Sequence, residues 1–134
     1  MPIQGLDHFT VHTADRPGTV DFYCRVLGFS TGARPPFAFP GEWLYIDGRP
    51  LLHLVDNPDA PGGRSSLDHV ALAIDDPEAM AARLDANGVP YEARGVPGSD
   101  RVQYFLHDPN GVKIELQFTA KAGMSRPPPG LKPA

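Results

Sequence analysis

A repeat constrains this chain more than any other feature. Leu6-Asp7-His8 returns as Leu67-Asp68-His69, 61 positions later (69 − 8 = 61), and each copy continues as a short apolar strand that ends in acidic residues and a proline. One repeat within 134 residues implies two half-size units sharing one core, rather than two independent domains. The helix grammar repeats too. In TADRPGTVDFYCRVLGF, Thr13 or Asp15 is placed to cap a helix start, Pro17 is tolerated in the first turn, and Gly28 stops it. IDDPEAMAARLDANGV offers Asp75 or Asp76, Pro77 and Gly88 in the same roles, with Met80 and Leu84 one helical turn apart as an apolar stripe.

Strand pairs follow each helix. Glu42 to Ile46, the Asp47-Gly48 turn and Leu51 to Val55 read as a hairpin, because Asp-Gly supplies the positive backbone angles of a two-residue loop. Arg101 to His107, the DPNG turn and Val112 to Phe118 read as its counterpart, with a three-residue loop and Gly111 left-handed. Setting Leu52-His53-Leu54 on Ile114-Glu115-Leu116 gives an offset of 62 (115 − 53 = 62). Each unit is therefore a strand, a helix and about three strands.

Alternation along these strands locates the chemistry. Phe9 and Val11 share one face while His8, Thr10 and His12 share the other; Val70, Leu72 and Ile74 oppose His69, Ala71 and Ala73; Val112, Ile114, Leu116 and Phe118 oppose Lys113, Glu115 and Gln117. The apolar faces belong under the helices. Two sheets so covered would face each other across a cleft holding His8, His53, His69 and Glu115.

Composition removes several alternatives. A net charge of −4 from 12 basic and 16 acidic residues offers no broad positive field for nucleic acid or an anionic membrane. No apolar run approaches the roughly 18 residues of a membrane span, and MPIQGLDHFT lacks the basic and apolar regions of a signal peptide, so the expected location is cytoplasmic. Cys24 is the sole cysteine, which excludes an intrachain disulfide and a cysteine zinc site; its apolar surroundings suit a packed thiol. From Thr119 the sequence TAKAGMSRPPPGLKPA reads as a proline-rich tail over the surface, 119–134, behind a single domain of about 1–118 whose modules span about 5–56 and 66–118.

Taken together, LDHFTV, DFYCRVLGF, LLHLV, LDHVALAI and HDPNGVKIELQF, spread over about Leu6 to Phe118, resemble the vicinal oxygen chelate superfamily. That superfamily includes glyoxalases, bleomycin-resistance proteins, fosfomycin-resistance enzymes and extradiol dioxygenases. The resemblance implies an α+β fold of two tandem βαβββ modules forming a cupped mixed sheet with helices on the outer face. It also implies metal ligands at the first and last strands of each module. Carried over by position, these fall on His8, His53, His69 and Glu115, the four residues the repeat had already brought together. A lone strand histidine is more often a partly buried polar residue than a ligand, but four suitable side chains at four equivalent positions argue for a site.

Imidazole and carboxylate suit Fe(II), Mn(II), Ni(II), Co(II) or Zn(II), and His8, His69 and Glu115 form the two-histidine, one-carboxylate set of oxygen-activating iron. His53 departs from many redox-neutral members, which carry Glu or Gln there; it is a fourth ligand or an acid–base residue. The resulting expectation is a metal-dependent lyase or isomerase of glyoxalase type, or an extradiol-type dioxygenase, on a small substrate that chelates the ion through neighbouring oxygens. The alternative is a binding or antibiotic-resistance protein that sequesters a flat polar molecule. Glu115 is a candidate proton carrier, as is Glu42, which the turn register places opposite His53. Phe105 opposite Glu115, Gln103 opposite Gln117, and Arg101 on the same alternation are candidate substrate contacts. Trp43 and Tyr45 fall on the other face, under the helix, and His12 and His107 lie near strand ends at the surface. Sheet edges that need covering point to a homodimer, with the site within one chain or shared between two.

Overall fold

Each unit begins with an alternating strand that turns into a capped helix. The computed structural model describes residues 5–62, 67–120 and 131–132, and the chain divides into two compact units, Met1–Gly63 and Arg64–Ala134. In the first, β1 (Phe9–Thr13) buries Val11 and Thr13 and exposes Thr10 and His12. Helix α1 (Arg16–Asp21) starts at Asp15, whose Oδ1 accepts from the Gly18 amide at 3.0 Å, and Pro17 sits in its first turn. Thr13 takes a different part: its Oγ1 accepts from the Asp15 amide and meets Thr19 Oγ1 at 3.0 Å, tying strand to helix. The helix continues into a π-helical turn, Phe22–Val26, that buries Tyr23 and Val26, and Gly28 at φ 83° ends it.

After β2 (Ser30–Thr31), strands β3 (Gly41–Ile46) and β4 (Arg49–Asp56) form the expected hairpin, with Asp47 at φ 50° and Gly48 at φ 75°. The sheet order is β1-β4-β3-β2, with β1 parallel to β4 and the remaining pairs antiparallel. Leu44, Leu52 and Leu54 form its buried face.

The hairpin register differs from the expectation. Ile46 pairs with Arg49, but Leu44 pairs with Leu52, so Pro50 and Leu51 together oppose Tyr45. This bulge falls at a proline, which has no N–H to give to the ladder. Beyond it every partner shifts by one: Glu42 stands opposite Leu54, and Trp43 stands opposite His53. Glu42 is thereby placed on the helix-side face, with its carboxylate 4.0 Å from Arg16, and Trp43 is placed on the face of His53.

The second unit repeats the plan. β5 (Val70–Ala73) leads to α2 (Pro77–Ala86), which is capped by Asp76 Oδ1 accepting from the Ala79 amide at 3.0 Å and buries Ala81 and Leu84. Then come β6 (Glu92–Gly95), β7 (Arg101–His107) and β8 (Lys113–Thr119), in the order β5-β8-β7-β6, with β5 parallel to β8. The DPNG turn is a three-residue loop: the Asp108 amide donates to Val112 O at 3.0 Å, and Gly111 has φ 80°. Val102, Tyr104, Leu106, Ile114, Leu116 and Phe118 pack its core. The paired βαβββ reading of the repeat therefore holds.

Most of the proline-rich stretch lies outside the described residues. Two points differ from the expectation there: Thr119 is still within β8, and Leu131–Lys132 forms a short strand, β9, parallel to β6. An extended backbone can add to a sheet edge wherever its N–H groups are intact, as at Leu131 and Lys132.

Candidate metal and substrate site

In both units the histidine of the repeated Leu-Asp-His triplet is oriented by the aspartate before it. His8 Nδ1 donates to Asp7 Oδ2 at 2.6 Å, and His69 Nδ1 donates to Asp68 Oδ2 at 2.7 Å. In a neutral imidazole whose Nδ1 carries the proton, the lone pair is on Nε2, so Nε2 is the donor atom of each ring. The same hydrogen bonds hold the Asp7 and Asp68 carboxyls below their ordinary range; at Asp68 the Lys113 ammonium, 3.3 Å away, adds to the effect. The triplet itself signalled this arrangement, because an Asp precedes the His in both copies, yet sequence reasoning gave the aspartates no part.

The second unit brings its two candidates together. His69 Nε2 lies 3.7 Å from Glu115 Oε1, and that carboxylate, only 5% exposed, accepts from Gln103 Nε2 at 2.8 Å. Gln103 pairs with Gln117 and Phe105 with Glu115, as the turn predicts. Gln103 therefore holds Glu115 as well as lining the same face. Phe105 turns its ring plane at 89° to His69, with centroids 6.4 Å apart, and takes the Lys113 ammonium over its face. Arg101 opens β7 on this alternation, exposed, opposite Thr119.

The first unit holds its pair differently. His8 and His53 stack face to face, centroids 3.8 Å apart and planes 16° apart, and Trp43 stacks on His53 at 3.9 Å and 8°. The His53 Nε2–H donates to the Pro50 carbonyl at 3.1 Å. Burial, followed by the neighbouring His8, pushes the His53 imidazole below its ordinary value. Phe37 lies against Trp43 and stacks on Phe39, with the Arg34 guanidinium over both phenyl rings at 5.1 Å. Sequence reasoning missed Trp43 as a site-face residue because the register signal was read through an unbroken ladder. His12 and His107 are exposed, as expected.

Two ligand atoms each about 2.1 Å from one ion lie about 3 to 3.5 Å apart at tetrahedral or octahedral angles. The His69–Glu115 spacing of 3.7 Å comes close to that, and an imidazole nitrogen with a carboxylate oxygen is a donor pair suited to a divalent transition ion. Among the described residues, no group of three or more His, Cys, Asp or Glu side chains is placed to hold an ion. The second unit's pair therefore supplies two candidate donors and no more.

The repeat, the paired βαβββ units and the oriented histidines belong together in one family. The model of the glyoxalase/bleomycin resistance protein/dioxygenase superfamily matches residues 5–116, and the chain belongs to that superfamily. A lactoylglutathione lyase of Escherichia coli O157:H7 is 30% identical over 129 residues, covering 88% of this chain and 95% of the lyase. The crystal structure of TnmS3, an antibiotic binding protein from Streptomyces sp. CB03234, superposes with a TM-score of 0.69 at 30% identity, over 90% of this chain and 99% of that one. A putative glyoxalase family protein from Bacillus anthracis shares the fold at a TM-score of 0.74 and 19% identity, over 88% and 97% of the two chains. Membership makes this chain an enzyme or a binding protein for a small molecule. Among the described residues, no helix is long and apolar enough to cross a membrane.

Proposed function

We propose that this chain is a divalent-metal-dependent enzyme acting on a small substrate that chelates the ion through neighbouring oxygens. The observation that carries this reading is the His69–Glu115 pair, with Asp68 orienting the imidazole and Gln103 the carboxylate. His8, oriented by Asp7 in the same way, is the candidate donor of the first unit, and Fe, Mn, Ni, Co and Zn all suit imidazole and carboxylate donors. A bound ion supplies a Lewis acid for negative charge that develops on substrate oxygen. Glu115 holds or moves the substrate proton, a role that suits a buried carboxylate fixed at one oxygen by Gln103. Phe105 gives the substrate an apolar wall, and the Arg101 guanidinium meets an anionic substrate group. Glu42 has no part in this reading, since it faces Arg16.

Proton transfer of the lyase or isomerase type is favoured by the lactoylglutathione lyase relative. Ring-cleaving dioxygenation is the competing outcome, supported by the two-histidine, one-carboxylate donors. The likeness to an antibiotic binding protein, together with the exposed Phe37 and Phe39 rings beside Trp43, supports a second reading: sequestration of a flat polar molecule without turnover. Elemental analysis of the purified chain, and thermal unfolding with added Mn, Fe, Ni, Co or Zn, test the enzyme reading. The expected result is stoichiometric metal and a raised Tm, both lost in His69→Ala. Absence of both in the wild type refutes it, whereas ligand binding that survives a chelator and His69→Ala establishes sequestration. Oxygen consumption with catechols after anaerobic Fe(II) loading assigns the dioxygenase arm.

A further inference from the structure

We propose that His53 is a positioning residue that holds the His8 ring by stacking and is not itself a donor to the ion; this rests on the reading of His8 as a ligand. An imidazole lone pair lies in its ring plane. The His8 and His53 planes are nearly parallel, with centroids 3.8 Å apart, so an ion in the plane of one ring lies well outside the plane of the other. Over the roughly 3 Å from ring centre to an ion about 2 Å beyond the nitrogen, the 16° angle closes only about 1 Å of that gap, leaving the second nitrogen too far out of line.

Hydrogen bonding takes one of the two His53 nitrogens out of reach of an ion. A carbonyl oxygen only accepts, so the 3.1 Å contact to Pro50 O requires the proton on Nε2 and commits that atom to the backbone, leaving the lone pair on Nδ1, in the ring plane that the stack sets apart from the plane of His8. The bulge presents this carbonyl, because Pro50 and Leu51 share one partner across the ladder. Trp43, on the opposite face of His53 at 3.9 Å, pins the ring between two aromatic neighbours. The equivalent positions of the second unit are built otherwise: Glu115 replaces His53, Phe105 replaces Trp43 (105 − 43 = 62), and Phe105 meets His69 edge to face. A donor position in one unit has become a ring platform in the other.

Two substitutions separate ring from donor. His53→Phe keeps a ring without a nitrogen, and His53→Gln keeps a donor without a ring. With zinc alone as the probe and the full chain titrated calorimetrically, His53→Phe should hold the wild-type Kd within about threefold, while His53→Gln should weaken it about tenfold to a hundredfold, as for other supports of metal-binding histidines. The opposite order, with His53→Gln binding normally and His53→Phe impaired, overturns the proposal. A wild-type chain that takes up no zinc overturns the metal-holding reading instead. The positioning role is then judged in the zinc-free chain from the His8 ring-proton shifts, which His53→Phe should preserve and His53→Gln should move. Equal shifts in both variants overturn it. Fluorescence of Trp43, the only tryptophan, monitors folding and the stack in each variant.

Discussion

Removing the amide that holds Glu115 should expose how much of this carboxylate's burial depends on one hydrogen bond. The Gln103 Nε2 donor lies 2.8 Å from Oε1 of a side chain only 5% exposed. A hydrogen bond to a charged group contributes about 1.5 to 3 kcal/mol, and stranding a buried acceptor costs a similar amount. Gln103→Leu should therefore destabilise the chain by about 2 kcal/mol, a Tm loss of roughly 5–10 °C for a domain of this size. Glu115→Leu strands the amide instead and should also cost stability. The double variant replaces both partners by apolar groups, so its cost should fall below the sum of the singles by about 1.5 to 3 kcal/mol. Urea unfolding of the four proteins, metal-free, measures that coupling. A coupling under about 0.5 kcal/mol would show that Gln103 and Glu115 are independent and would refute the role given to the amide.

Burial pushes the Tyr104 hydroxyl up to about 12, with Tyr91, Glu78 and Asp85 adding to the effect. The unfolded chain releases this proton near 10 and the folded chain keeps it, so the stabilisation is complete below pH 10 and is lost as pH rises through about 12. It amounts to roughly 2–3 kcal/mol, and the late-titrating part of the tyrosinate absorbance should fall by one tyrosine in Tyr104→Phe. The chain should also be a homodimer, which would cover the exposed Leu6 and Leu67, with the site within one chain or shared between two; sharing makes single-variant losses reparable by exchange. Mixed His8→Ala and Glu115→Ala chains should then regain about a quarter of the zinc capacity, since half of randomly exchanged dimers carry one intact site of two. A monomer with full metal occupancy at micromolar concentration would refute the sharing.

What the sequence made legible followed from local rules. The Asp–Pro helix starts and the three-residue DPNG loop depend on neighbours in the chain, and the second hairpin's register follows from its turn because β7 and β8 run without a break. The first hairpin does not obey its turn beyond Ile46, since Pro50 interrupts the ladder, and one slipped residue exchanges Glu42 and Trp43 between faces. The π turn at Phe22–Val26 was not legible either, because apolar spacing alone does not distinguish it from the last turn of an α-helix. The equivalence of the four candidate positions was legible from the repeat. Their different settings, a stacked imidazole in one unit and a carboxylate held by an amide in the other, depend on partners such as Pro50, Trp43 and Gln103 that only the folded ladders bring close.

The parallel ladders also govern the order in which the chain can organise itself. Phe9 lies beside Leu52, 43 positions away (52 − 9 = 43), so the inner pairing of the first sheet must wait for the hairpin that follows it. A search across that span is slower than zipping a hairpin, because loop-closure entropy is lost before any ladder contact repays it. The β3–β4 and β7–β8 hairpins are thus the natural early structures, and the histidine-bearing segments ahead of β1 and β5 join them late. During synthesis, every strand of the first sheet has been added once Asp56 is in place, and the strands of the second sheet all lie further along the chain. The segment carrying His8 and the strand carrying His53 can therefore meet before the second sheet is complete.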